Sequence, residues 1–211
     1  MTQDSTSNAT APKRVETFTR RKDPKREIRE AAERLWSQRG FHATGIQDLC
    51  EEVSMGRGAL YYHIKSKEDL LLDISLFYLE KLIEDGQNIL KEKATHTELL
   101  YKLSHNLMRN IAEHRDGWTV FFAEIRSLQG ERRDQVLARR GVYEDIWLSV
   151  IEQGTAAGEF QETSRLLVKG VLGMHNYSYL WLQPDGSATP EQIGSIFMDT
   201  ILNGIHSRRN G

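Results

Sequence analysis

Ser54-Met55-Gly56-Arg57-Gly58-Ala59-Leu60-Tyr61-Tyr62-His63-Ile64-Lys65-Ser66-Lys67 is the stretch that decides how this chain reads. A break of three residues feeds a helix of only about two turns, Arg57 to His63, and the next helix opens at Ser66. The short helix carries a cation, a glycine, two tyrosines and a histidine. Only Leu60, Ile64 and part of Tyr61 are placed to face a core. A helix so short and so rich in hydrogen-bond donors suits a nucleic-acid groove better than the building of a core. In a helix-turn-helix the second helix enters the major groove while the first crosses the backbone. Residues 46–53 would then be the supporting helix and 57–63 the reader.

The residue types fit that chemistry. Arginine can engage guanine O6 and N7 together, and an alanine methyl can meet a thymine methyl. Arg57 and Ala59 therefore fall where base edges are reachable, and Gly58 lets the backbone approach closely. Tyr62 and His63 can donate to phosphates from the side, and Lys67 adds charge at the next helix start. Helix N-termini favour phosphate through free N–H groups and the dipole, which brings in Thr44 and Ser66. The expected DNA-contact set is Thr44, Gly56, Arg57, Gly58, Ala59, Tyr61, Tyr62, His63 and Lys67. A plain helical corner is the competing reading.

Outward from this stretch nearly every segment reads as helix. Ile28, Ala31, Ala32, Leu35 and Trp36 form one apolar face, and Gly40 stands where a helix-ending glycine belongs. Thr44 to Gln47 reads as a capping box ahead of Ile46, Leu49, Cys50 and Val53, and Ser66 to Asp69 as a second one. The helix opened at Ser66 carries Leu70, Leu71, Ile74, Phe77, Tyr78 and Leu82 and is expected to end near Lys93. Further helices are expected at about 96–114, 117–128, 132–157, 162–183 and 190–207. Thr189-Pro190-Glu191-Gln192 starts the last with an N-cap, a proline at N1 and a glutamine at N3. There is no alternating strand run and no internal repeat, so the fold class is all-α.

Composition bounds the rest. The 211 residues are 39% hydrophobic and 27% charged, with a net charge of −2. That balance is ordinary for a globular protein. No apolar run nears the ~20 residues needed to span a bilayer. The polar start, Met1 to Pro12, lacks a secretory core. Cys50 is the sole cysteine and lies on an apolar face, where it reads as a small core residue. A cytoplasmic protein with no membrane partner is expected. Charge is uneven along the chain. Residues 1–67 hold thirteen Lys and Arg against nine Asp and Glu, a net +4, while the remainder is −6. A cationic end on an acidic body suits a protein that touches a polyanion at one end, although a merely solvated imbalance would look the same. Three regions follow: a disordered N-terminal arm over 1–23, which either lies along DNA or only solubilises; a helix-turn-helix domain over 24–68; and a helical body over 69–211.

These residues resemble the tetracycline-repressor (TetR) family. The resemblance rests on Leu35-Trp36-Ser37-Gln38-Arg39-Gly40-Phe41, then Thr44-Gly45-Ile46, then Arg57 through Leu70, and covers about residues 25–72. Against the family pattern, Ser54 stands for a usual glycine, Gly56 for a capping serine, Arg57 for lysine, Ala59 for threonine and Ile64 for phenylalanine. Glycine is itself an acceptable N-cap, so the fold is not threatened. The resemblance implies a three-helix DNA-binding head on a larger helical body that binds an effector and dimerises. It implies a repressor of transcription released from double-stranded operator DNA by a small molecule.

In the body, Leu167, Gly170, Val171, Met174, Tyr177 and Trp181 make one stripe, and Ile193, Ile196, Phe197, Thr200, Ile201, Gly204 and Ile205 another. Two such helices per chain would form a four-helix bundle across a two-fold axis, making a homodimer. An intrachain core is the alternative. Large side chains with polar ends suit a small-molecule pocket, with a plain core as the competing reading. The expected effector contacts are Phe77, Trp118, Phe121, Phe122, Arg126, Trp147, His175, Asn176 and Tyr179. A cationic rim of Arg126, Arg132, Arg133, Arg139, Arg140, Arg165 and Lys169 would suit an amphipathic anion such as an acyl-CoA thioester. The segment Gly173 to Trp181, followed by Pro184-Asp185-Gly186, also resembles the family branch that senses acyl-CoA intermediates of lipid and steroid breakdown. Effector binding is expected to act through the long helix beginning at Lys67. No catalytic residue, cofactor or metal is expected, because metalloprotease, Walker and dinucleotide fingerprints are all absent. A helical enzyme built on His175 and a structural adaptor remain the rival readings.

Overall fold

A computed structural model describes residues 23–161, 164–183 and 185–205. The arm expected over 1–23 lies outside the described residues except for Asp23. That residue caps the first helix, α1 (Pro24–Arg39), by accepting the Lys25 N–H at 3.1 Å, with Pro24 at N1. Ile28, Ala31, Ala32, Leu35 and Trp36 form its buried face. Gly40 ends it at φ +87°, its N–H donating to the Trp36 carbonyl at 2.9 Å. Glycine takes that left-handed conformation at little cost, so the helix stops there.

Two short helices follow, α2 (Ile46–Glu52) and α3 (Arg57–His63). The long α4 (Lys67–Ile89) begins at Ser66, whose Oγ accepts the Asp69 N–H at 3.0 Å and donates to its carboxylate at 2.8 Å. It ends four residues earlier than Lys93, because Lys91 and Glu92 turn into short i→i−3 bonds. The next helix, α5 (His96–Glu113), starts from a Thr95–Glu98 capping box. Then come α6 (Arg115–Glu124) with a 3₁₀ turn at Ile125–Ser127, and α7 (Gly130–Ala156). A single helix expected over 162–183 is instead α8 (Arg165–Asn176) followed by a 3₁₀ turn at Tyr177–Leu180. The tighter turn carries Ser178 inward, where its hydroxyl meets the Met108 sulfur at 3.7 Å. The last helix, α9 (Pro190–Ile205), begins with reciprocal Thr189–Gln192 bonds of 2.8 and 3.2 Å.

One buried cluster runs without a break from Ile28 and Leu49 in the first helices to Met198 and Leu202 in the last. The boundary expected at residue 68 falls inside the first turn of α4, so head and body share a core. Among the described residues no strand forms, and no helix is long and apolar enough to cross a membrane.

Candidate nucleic-acid interface and ligand cavity

Between α2 and α3 the chain turns in four residues, Val53 to Gly56. Ser54 takes φ +53°, the left-handed region that a side chain makes costly. Gly56 caps α3 with extended backbone and no side-chain bond. Leu60 at 0% exposure and Ile64 at 6% pin the helix to the core. The opposite face is open. Arg57, Gly58 and Ala59 are exposed, and nothing lies within 4 Å of a Cβ added at Gly56 or Gly58. Tyr61 is 45% exposed and Tyr62 86%, with the Tyr62 ring edge-on to His63 at 5.2 Å. Apart from its buried anchors, α3 with its N-cap thus presents a guanidinium, two glycines, a methyl and two phenols to solvent.

Two further residues of the expected DNA-contact set lie off that helix, Thr44 before α2 and Lys67 at the start of α4. Thr44 is 1% exposed and donates its hydroxyl to the Gly40 carbonyl at 3.1 Å. It closes the turn after α1 and does not open α2. Gly45 holds the N-cap position, and its N–H is taken by the Asp48 carboxylate at 2.6 Å. Lys67 is half-buried. Its ammonium donates to the Phe41 carbonyl and sits 4.1 Å from the Phe41 ring centre, and burial lowers its pKa. It ties α4 to the α1–α2 turn.

In the body, a cavity of about 220 Å³ lies between α4, α6, α7 and α8. Leu79 and Leu82 come from α4, Trp118, Phe121 and Phe122 from α6, and Arg140, Tyr143 and Glu144 from α7. Lys169, Leu172, Gly173 and Asn176 complete it from α8, with Lys169 paired to Glu144 at 3.1 Å. Arg140 has no carboxylate partner among the described residues. Trp118, Phe121, Phe122 and Asn176 are therefore brought together as expected, and Arg140 and Lys169 stand for the cationic rim. Other rim residues are neutralised on the surface: Arg132 by Asp69 at 2.8 Å, Arg165 by Asp145 at 2.6 Å, and Arg139 by Glu80.

Five expected cavity residues lie outside it. Phe77 is on the surface, with the Arg29 guanidinium 3.6 Å above its ring, in a separate groove between α1 and α4. Arg126 is exposed on the 3₁₀ turn after α6. Trp147 is fully buried against His175 at 5.6 Å. Tyr179 lies behind Phe122, stacked at 5.1 Å. His175 is also fully buried, and burial pushes its pKa down to about 4. Its Nδ1–H donates to the Val171 carbonyl at 2.8 Å, leaving Nε2 to accept the Ser104 hydroxyl at 2.7 Å. A neutral, sealed histidine bonded to a carbonyl and a hydroxyl is a core joint, and the enzyme reading loses its candidate. Leu79, Leu82 and Leu172 were missed because they belong to the same apolar stripes as pure core residues.

The stripes on the last helices divide. Val168, Val171, Leu172, Met198 and Leu202 are buried within the chain. Leu166 at 75%, Tyr177 at 63%, Ile196 at 59% and Trp181 at 44% are left in solvent.

An all-helical protein with an outward-facing reader helix and a separate cavity above it is a DNA-binding transcriptional regulator. Comparison with known proteins makes this specific. Residues 28–74 match the family of bacterial regulatory proteins called tetR, and residues 93–205 match the tetracyclin repressor-like C-terminal domain. The chain belongs to the TetR family. It is 26% identical over 185 residues to the HTH-type transcriptional repressor KstR2 of Mycolicibacterium smegmatis, covering 85% of this chain and 89% of that one. Among solved structures it resembles the TetR family regulator PfmR of Thermus thermophilus, with 31% identity and a TM-score of 0.79 over 83% of this chain and 97% of that one. It also resembles AibR, solved with isovaleryl coenzyme A and operator DNA, with 26% identity and a TM-score of 0.76 over 84% of this chain and 97% of that one.

Proposed function

We propose that this chain is a cytoplasmic homodimeric repressor that leaves its operator when an acyl-CoA thioester enters the body cavity. The 24–68 head reads DNA, and the 69–211 body holds the effector and the dimer contact. The carrying observation is the face of α3, where Arg57, Ala59 and Tyr62 are exposed around the buried anchors Leu60 and Ile64. No need of the fold explains a phenol 86% exposed beside an open guanidinium. A rigid adaptor would not require that face.

Pairing supplies the second reader. Leu166, Tyr177, Trp181 and Ile196 form an exposed apolar surface on α8, the turn after it, and α9, and Gly170 has open space around it. A four-helix bundle built there buries this surface and sets two α3 helices one turn of DNA apart, about 34 Å. Acyl-CoA is the effector class because aromatic walls meet Arg140 and Lys169 at one cavity, and because AibR, a relative of the same fold, was solved with isovaleryl coenzyme A. The cavity takes the acyl group, and the two cations take phosphate oxygens. Binding that favours the released form by about 1–3 kcal/mol gives partial derepression.

Band-shift with the DNA upstream of the chain's own gene tests this, with and without isovaleryl-CoA. Binding should weaken by about 0.9 log units per log unit of salt for each phosphate neutralised, and the thioester should release the complex. Light scattering should give a dimer. No retardation of that DNA, or a monomer, removes the reading.

A further inference from the structure

The first half of α7 carries two arginine doublets seven residues apart, Arg132-Arg133 and Arg139-Arg140. Residues seven apart on a helix lie within about 20° of each other around its axis. The doublets therefore make two parallel pairs. Arg132 and Arg139 face α4 and are neutralised there, by Asp69 at 2.8 Å and by Glu80. Arg133 and Arg140 stand about 100° further round the helix. Neither has a carboxylate partner among the described residues. Arg140 lines the cavity, and Arg133 is exposed two turns away, about 10 Å along the axis. Leu137 lies between them on the same stripe, 43% exposed.

Packing does not account for this stripe. The buried side of α7 is made by Val136, Tyr143 and Trp147 instead. The size of the effector does account for it. A cavity of about 220 Å³ is smaller than the pockets that hold drug-sized ligands, and a coenzyme A thioester is a larger molecule than those. Its nucleotide end therefore lies outside, and that end carries a pyrophosphate, an adenine and a ribose 3′-phosphate. At the rim Lys169 is already tied to Glu144 at 3.1 Å, so Arg140 is the free cation there. We infer that the effector's nucleotide runs from Arg140 over Leu137, and that Arg133 takes its 3′-phosphate. Guanidinium suits a phosphate because it can offer two parallel N–H donors. This rests on the acyl-CoA reading above and extends it from the acyl group to the far end of the ligand.

Calorimetric titration of the full chain tests it with isovaleryl-CoA and isovaleryl-dephospho-CoA, which lacks only the 3′-phosphate. The wild type should bind isovaleryl-CoA about fivefold more tightly than the dephospho form, the upper end for an exposed ion pair. Arg133→Gln should lose about that factor on isovaleryl-CoA and less than twofold on the dephospho form. Equal losses on both, or no loss on either, overturn the Arg133 assignment while leaving the acyl-CoA reading in place. Leu137→Gln should weaken both nucleotide-bearing thioesters and leave isovaleryl-pantetheine within twofold. An equal loss on isovaleryl-pantetheine takes the nucleotide off Leu137 and overturns the path. Binding of none of the three by the wild type removes the inference and the acyl-CoA reading together. Circular dichroism checks that both variants, changed only at exposed positions, keep the fold.

Discussion

The head and the body use their aromatic residues in opposite ways. In α3 the two tyrosines face water, Tyr62 at 86% exposure. In α6 and α7, Trp118, Phe121 and Trp147 are 1% exposed or less. Burying a large aromatic is how a fold is held, so the inward set is explained by the molecule itself. The outward set is not, and therefore points to something outside it. The same contrast separates the cations. Arg57 is exposed and has no carboxylate partner among the described residues, whereas the body pairs Arg132, Arg139 and Arg165 with carboxylates.

Substitution should separate the two sets. The largest effect belongs to Trp118→Ala, which empties a site between α4, α5 and α6 and strands the Asn110 side-chain Oδ1 that accepts the indole N–H at 2.8 Å. It should cost about 3–5 kcal/mol of stability in urea unfolding. Tyr62→Ala should change that quantity by less than about 0.5 kcal/mol. A comparable loss at both positions would break the comparison.

Glu33 sharpens it at the seam between the regions. This carboxylate of α1 is buried beside Arg29 at 3.7 Å and Tyr78, and burial raises its pKa to about 7. The folded state then binds a proton that the unfolded state has already released above its ordinary 4.5. Stability contributed by Glu33 is thus complete below pH 4.5, falls as pH rises toward 7, and stays low above it. The span is about 3 kcal/mol, at about 1.4 kcal/mol per pH unit. Glu33→Gln should flatten this slope and raise the melting temperature at pH 8 more than at pH 5. Equal gains at both pH values would show that the carboxyl is ionised in the fold.

Arg57→Ala comes next. Operator affinity should fall by about 1–3 kcal/mol and base preference relax at one position per half-site, with thermal stability unchanged. Unaltered preference in a binding-site selection would take Arg57 off the reading face. A smaller effect is expected at Ser54. Its φ of +53° is one that glycine adopts freely, so Ser54→Gly should stabilise the chain by about 1 kcal/mol in denaturant melts without altering DNA binding.

Much of the head was legible because its signals are local. Gly40 and Ser66 act within four residues of themselves, and a two-turn helix carrying Leu60 and Ile64 on one side must show Gly58 and Tyr62 on the other. Thr44 misled because Thr-x-x-Gln fits a capping box whether or not the chain turns there; Asp48 competed for the same N-terminus one residue on and won. At Lys67 the sequence leaves the partner open, because a lysine at a helix start is as able to reach a neighbouring carbonyl and ring as a phosphate. In the body, periodicity placed Phe77, Trp147, His175 and Tyr179 on apolar faces but did not say what each face meets.

By itself, then, the order of residues settled an all-helical chain, most of the places where its helices begin and end, and which side of the reader is outward. Those follow from hydrogen bonds and backbone preferences spanning a single turn. Tertiary packing alone decided that Phe77 lies over a surface groove, that His175 is a sealed joint, and that Arg132 and Arg139 are paired on α4. Such outcomes depend on which distant helix lies opposite. An apolar stripe commits a side chain to a direction, and only the neighbouring helix turns that direction into core, cavity or open surface.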